Sequence, residues 1–220
     1  DATEAFGARI AGRYLGDATA DFSVFSFHAA KLLNTGEGGA VTVSDPASFD
    51  RVSRMKKFGI EAWSFRLGDG DLNPGSPIRD VGLCAYLDNI SASVGRENLR
   101  GLSGLIAANN KNASELRVAL SSLPHLRLLA HGPTSEPVPW TLNVGILDRD
   151  LWKERLRQAG IACQRLHLRC DHYAVFPDSD RPLLNVDRFD QENLSLPCGW
   201  WLNDSDIERI VATLASASRS

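Results

Sequence analysis

Between residues 21 and 27 apolar side chains stand at Phe22, Val24 and Phe25 among polar ones, a pattern that predicts a strand. Residues 39–43, Gly-Ala-Val-Thr-Val, predict a second, buried strand. Asp45-Pro46 opens a helix, because proline suits the first helical turn, and Gly59 stops it after Lys56 and Lys57. Strand, turn, strand and helix in this order argue for an α/β layer. Residues 61–81 carry Gly68, Gly70, Pro74, Gly75 and Pro77 with little periodicity, and read as a long loop of the kind that is often functional. From Asp88 to about Leu123 the chain reads as helix, with Ile90, Val94, Leu99 and Leu102 as its apolar stripe and Gly95, Gly101 and Gly104 interrupting it.

Beyond residue 124 the pattern changes. Residues 126–129 and 138–146 predict strands, residues 148–158 a helix stopped by Gly160, and residues 163–168 a further strand. Asn203 caps a last helix, whose first turn holds Asp204 and Asp206 where the helix dipole favours negative charge. The mixture predicts a small α+β domain after the long helix. The expected division is residues 1–105 and 106–220.

Composition narrows the classes. Of 220 residues, 43% are apolar and 23% charged, as in ordinary globular proteins. A net charge of -3 leaves no electrostatic footprint for nucleic acid. No apolar run is long enough to span a bilayer and no secretory signal is seen, so no membrane partner and a cytoplasmic location are expected. Cys84, Cys163, Cys170 and Cys198 have no metal-ligand spacing and read as mostly buried thiols in a reducing compartment. Residue 1 is aspartate, the sole methionine is Met55, and no strand precedes the first motif. We therefore expect the C-terminal part of a longer polypeptide.

The candidate chemistry centres on Lys31. It follows a predicted strand, five residues after Ser26 and just before Gly36-Glu37-Gly38-Gly39. Lysine is costly to bury, so one set between apolar runs needs a reason. A desolvated amine that condenses with an aldehyde is such a reason. Thirty residues upstream stands Asp1, and a lysine paired with an aspartate for a pyridinium nitrogen is the protein's half of pyridoxal phosphate chemistry.

Ser26-Phe27-x-x-x-Lys31 followed by Gly36-Glu37-Gly38-Gly39, after Asp1-x-x-Glu4-Ala5-x-Gly7, resembles the pyridoxal-phosphate-dependent sugar aminotransferases of the DegT/DnrJ/EryC1/StrS family. Gly82-Leu83-Cys84-Ala85-Tyr86-Leu87-Asp88-Asn89 looks like the family's segment before its long helix. Asn193-Leu194-Ser195-Leu196-Pro197-Cys198 and Leu202-Asn203-Asp204-Ser205-Asp206-Ile207 look like its C-terminal strand and closing helix.

The resemblance implies an α/β fold of the aspartate aminotransferase type (fold type I), with residues 1–105 as the C-terminal part of the large cofactor domain. It implies pyridoxal 5'-phosphate as cofactor and Lys31 as the catalytic lysine that bonds it. Asp1 would hold the ring nitrogen, Ser26 the phosphate, and Glu4 stands where relatives often carry glutamine or histidine near the ring. The implied reaction converts a nucleotide-linked keto sugar to an amino sugar with glutamate or glutamine as donor, in a homodimer. Gly38 and Gly39 read as backbone requirements and Glu37 as fixing the turn. His28 reads as packed or hydrogen-bonded. His167 and His172, beside Arg169, fall in a stretch that approaches the active site in relatives, or are surface residues of a loop. One departure stands out: many relatives carry asparagine and a basic residue in the segment aligned with 84–86, reaching the neighbouring subunit's cofactor, where this chain has cysteine, alanine and tyrosine. Two other readings remain open. One is a sugar dehydratase of the same family, although those enzymes replace the lysine. The other is a non-catalytic module that binds the cofactor.

Overall fold

The computed structural model describes residues 1–17, 19–176 and 181–216. In chain order its elements are β1 (Arg9–Ile10), β2 (Arg13–Tyr14), β3 (Phe22–Ser26), β4 (Gly39–Val43), α1 (Pro46–Met55), α2 (Asn89–Leu120), β5 (Leu126–Leu128), β6 (Ser135–Glu136), β7 (Leu142–Ile146), α3 (Arg149–Gln158), α4 (Leu184–Glu192), β8 (Asn193–Leu196) and α5 (Asp204–Ala215). They form two compact units. One is Asp1–Leu102 with Thr134–Glu136, the other Ser103–Pro133 with Pro137–Ser220.

In the first unit β3 and β4 pair antiparallel, with Phe22 opposite Val43 and Ser26 opposite Gly39. The ladder runs one step past the strands, since Phe27 N–H donates to Gly38 O at 2.8 Å. Both predicted strands form, as a hairpin, but β4 is not buried as expected: no residue in it is buried and Val41 is 44% exposed, because its faces gain few covering side chains. A small sheet in the order β2-β1-β6 lies outside what periodicity could show, because its strands are two residues each. Asp45 caps α1 by accepting from Ser48 N–H at 2.9 Å, with Pro46 in the first turn, as the sequence predicts.

Residues 27–38 close the hairpin and carry Lys31. This loop is tied down at several points. Thr35 N–H donates to Phe27 O at 2.9 Å, and the buried Leu33 and Thr35 turn inward. From α2, Asn98 Nδ2 donates to Asn34 O at 2.9 Å. Gly95 makes room for Thr35: a Cβ there would lie 2.6 Å from Thr35 Cγ2. Gly38 and Gly39 meet the expectation of a backbone requirement. Gly38 has φ +132°, and a Cβ on Gly39 would sit 2.6 Å from the carbonyl oxygen of Phe25.

The apolar stripe expected on α2 is only partly buried. Leu102 is buried, but Ile90 is 81% exposed, and Val94 and Leu99 are exposed as well. The buried positions further along are Asn109, Asn112, Ala113, Leu116 and Leu120, again at helical spacing. Two of them are polar, and each finds a backbone acceptor: Asn112 Nδ2 donates to Gly199 O and Leu202 O, and Asn109 Nδ2 to Pro139 O. A stripe counted on apolar residues alone misses this face.

The second unit is built on an antiparallel sheet in the order β5-β7-β8. Leu116, Leu120, Val144, Ile146, Leu156, Leu194, Leu196 and Leu214 form one buried cluster over it. The strand expected over 138–146 begins only at Leu142, after Pro137 and Pro139, which lack N–H donors. Residues 163–168 do not form a strand. Gln164 alone bridges to Ser195 in β8, after which Arg165 turns to an ion pair with Asp190. Asn203 caps α5 in a full capping box with Asp206, as predicted.

α4 was not visible in the sequence, since Leu183 before it offers no side-chain cap. Charges hold it instead. Asp187 pairs with Arg169, Asp190 with Arg165, and Glu192 with Arg127 at 2.7 Å and Arg188 at 2.9 Å. Of the cysteines only Cys198 is buried. Cys84 and Cys170 are exposed and Cys163 is intermediate, so the expectation of mostly buried thiols does not hold. Burial pushes the Cys198 thiol up to about 12.

Two predictions follow from these contacts. Gly95→Ala gains about 1 kcal/mol of helix propensity but forces overlap on Thr35 worth about 1–3 kcal/mol. The variant should therefore lose at most about 2 kcal/mol of global stability, while the Thr35 amide exchanges with deuterium about tenfold faster, as native-state exchange measures. Hydrogen bonds from Arg127 hold the Glu192 carboxyl below its ordinary value. Its stabilisation is complete above the ordinary glutamate value of about 4.3 and is lost as pH falls through the folded value. Glu192→Gln should lower the melting temperature at pH 7 and flatten its decline between about pH 5 and 3.

Candidate active site

The site residues expected from sequence lie in the first unit, and the structure brings two of them into direct contact. Lys31 Nζ stands 3.2 Å from Glu4 Oε1. The lysine side chain is only 16% exposed and the glutamate 36%. The amine is therefore largely withdrawn from water and matched with an opposite charge, as a buried ammonium requires.

Local structure explains how residues so distant in sequence meet. The opening segment lies beside β3, where Ala2 N–H donates to Val24 O at 2.9 Å. It then coils through successive turns, Ala5 N–H to Ala2 O and Ala8 N–H to Ala5 O, with Ala2 and Ala8 buried. Phe6 sets its ring edge-on to Phe25 at 5.4 Å and to Phe27 at 6.1 Å. Across this apolar seam Glu4 reaches the lysine loop, where Lys31 N–H donates to His28 O at 2.9 Å.

The remaining expected residues border the same hairpin end. Asp1 is exposed, and its Oδ1 accepts from Thr3 N–H at 2.9 Å in a local turn. Ser26 ends β3, and its Oγ accepts from His28 N–H at 3.3 Å. That leaves the hydroxyl proton for an external acceptor. His28 is hydrogen-bonded, as expected: its Nδ1 accepts from Ala30 N–H at 3.1 Å, and its Nε2 lies 3.8 Å from Glu37 Oε1. Thr35, Gly95 and Asn98, which set the loop's place, were not read as part of a site. Thr35 lies inside the quoted motif, but nothing local points to its partners in α2.

The donor set suits a pyridine aldehyde phosphate. A primary amine, two carboxylates and a hydroxyl free to donate are the groups that an aldehyde, a ring nitrogen and a phosphate respectively require. Two cavities lie elsewhere. One, of about 560 Å³, is bordered by Val24, Phe25, Val41, Phe49 and Tyr86 and holds none of these groups. The other, of about 520 Å³ in the second unit, is bordered by His167, Arg169, Phe176, Leu183 and Phe189. Arg169 there is paired with Asp171 at 2.6 Å as well as with Asp187, which holds the Asp171 carboxyl below its ordinary value. Among the described residues no group of three or more His, Cys, Asp or Glu side chains is placed to hold a metal ion, and no helix is long and apolar enough to cross a membrane. Cys84, Ala85 and Tyr86 are all exposed, and the Lys57 amine lies 5.7 Å over the Tyr86 ring.

Known proteins share this fold. The model of the DegT/DnrJ/EryC1/StrS aminotransferase family matches residues 1–215. The sugar aminotransferase CalS13 from Micromonospora echinospora superposes with a TM-score of 0.88 at 28% identity, over 96% of this chain and 55% of its own. AtS13 from Actinomadura melliaura gives a TM-score of 0.88 at 28% identity, over 98% of this chain and 56% of its own. DesV from S. venezuelae gives 0.83 at 26% identity, over 100% and 57%. The chain thus spans little more than half the length of these structures. Its α/β fold is that of the pyridoxal-phosphate-dependent aminotransferases of fold type I, and pyridoxal phosphate is the cofactor of their family. By its whole matched length and by its fold, the chain belongs to the DegT/DnrJ/EryC1/StrS aminotransferase family.

Proposed function

We propose that this chain is the cofactor-bonding part of an aminotransferase that converts a nucleotide-linked keto sugar to an amino sugar, with glutamate or glutamine as donor. The observation that carries this reading is the amine of Lys31, 16% exposed and set at the tip of an anchored loop. A lysine with a merely solvating role would extend into water rather than reach back to Glu4. The likeness to CalS13, a sugar aminotransferase, supports the sugar as substrate.

When bound, pyridoxal phosphate supplies an aldehyde that takes up an amino group and a ring that draws electrons from the adjoining carbon. The chain's residues would then divide the work as follows. Lys31 Nζ would hold the cofactor at its aldehyde and, when free, would take up and hand on the proton of the donor's α-carbon. Asp1 offers a carboxylate to the ring nitrogen and keeps that nitrogen protonated. The Ser26 hydroxyl donates to the phosphate. The reading includes a homodimer in the cytoplasm. The exposed Cys84, Ala85 and Tyr86 would then meet a neighbouring subunit with chemistry unlike the asparagine and basic residue of many relatives. The dehydratase reading is disfavoured by Lys31 itself.

Peptide mapping of the full-length protein after borohydride reduction should find the pyridoxyl group on Lys31, and Lys31→Ala should abolish amino transfer. Glutamate or glutamine should convert the cofactor to pyridoxamine phosphate, which a passive binder would not do. A pyridoxyl group on any other lysine would sink the assignment.

A further inference from the structure

The contact between Glu4 and Lys31 is not needed to hold either residue's backbone. The opening segment is fastened by the buried Ala2 and Ala8, by its own turns and by Phe6 against Phe25 and Phe27. The lysine loop is fastened by Leu33, by Thr35 against Gly95 and by Asn98. The two side chains meet because both anchored segments aim them at one point. The opening segment also carries Asp1, the loop His28 and Glu37, and α2 Arg96 and Glu97. Asp1 accepts from Thr3, His28 lies against Glu37, and Glu97 pairs with Arg100 at 2.7 Å. The Glu4 carboxylate lies at hydrogen-bond distance from the amine, at 3.2 Å.

An amine attacks a carbonyl carbon only through its lone pair, which an ammonium lacks. A carboxylate at this distance favours the ammonium and holds its N–H bonds in a fixed direction. We propose that Glu4 is a positioning residue for Lys31: its carboxylate parks the ε-amine as an ammonium whenever that amine is neither bonded to the cofactor nor moving the donor's proton. The parked lysine then does not compete with the second substrate for the cofactor. When the lysine does return, one proton passes from Nζ to Glu4 Oε1, so that ammonium and carboxylate become amine and carboxylic acid. This proposal rests on the assignment of Lys31 as the cofactor-bonding lysine.

The test uses the full-length protein without added cofactor and an amine-acylating ester at pH 7.5, with the rate at each lysine read by peptide mass spectrometry. Glu4→Gln should raise acylation of Lys31 by about three- to tenfold, because the amine then loses the charge-assisted hydrogen bond that holds it to the carboxylate. Acylation of Lys57 should not change. Glu4→Asp, which keeps the charge, should return the Lys31 rate most of the way to the wild-type value. In the unmutated protein, raising the salt from about 0.05 to 1 M should speed Lys31 acylation, since the pair is partly exposed and screened. That arm stands even if a variant fails to fold. Equal Lys31 rates in wild type and Glu4→Gln, or no response to salt in the wild type, would overturn the proposal. Borohydride mapping of the cofactor-loaded protein separates the two readings. A pyridoxyl group on Lys31 with unchanged acylation overturns only the role of Glu4, whereas one on another lysine overturns the functional assignment beneath it.

Discussion

The burial of Thr35 against Gly95 is the contact on which the lysine loop depends. A loop closing a hairpin loses conformational entropy for every residue it fixes, and residues 28–37 have no ladder of their own to offset it. Their order comes from outside. Gly95 lends α2 a notch, Thr35 fills it, and Asn98 ties the next carbonyl to the same helix turn. With those points fixed, Lys31 has little choice of direction, and its amine meets the carboxylate of a segment fastened separately. Placement of the reactive group is thus a matter of packing, and electrostatics acts on a side chain already aimed.

The second unit rests on a different balance. Its sheet is covered by aliphatic side chains in one continuous cluster, but α4 lacks a capping side chain and leans on arginines drawn from β5, α3 and the loop at 165–169. The same acidic residues that would repel one another on an isolated helix become the means of fixing it. Arg165 and Arg169 lie in the segment once expected to be a strand, so the charges that fasten α4 are also what turns that segment away from the sheet.

How much could be read in advance follows from the range of each interaction. β3, β4, α1, α3 and α5 were legible because alternation, Asp45-Pro46, Gly160 and Asn203 are signals carried within a few residues. Lys31, Ser26 and the paired glycines were legible for the same reason. The anchor from Asn98 to Asn34 crosses 64 positions and leaves no local mark. The inner face of α2 was misread because Asn109 and Asn112 are buried by virtue of carbonyls at Pro139 and Gly199, which hydrophobicity does not register. The two-residue strands β1, β2 and β6 are shorter than any period that could announce them.

The way the opening segment is fastened has an evolutionary consequence. Ala2, Phe6 and Ala8 carry the apolar packing of this segment, while position 4 contributes a side chain to the amine. Such a position can change its charge, length or hydrogen-bonding character in a single step while the scaffold persists. Selection can therefore retune the lysine's behaviour here without passing through unfolded intermediates, whereas the neighbouring positions 2, 6 and 8 are closed to it.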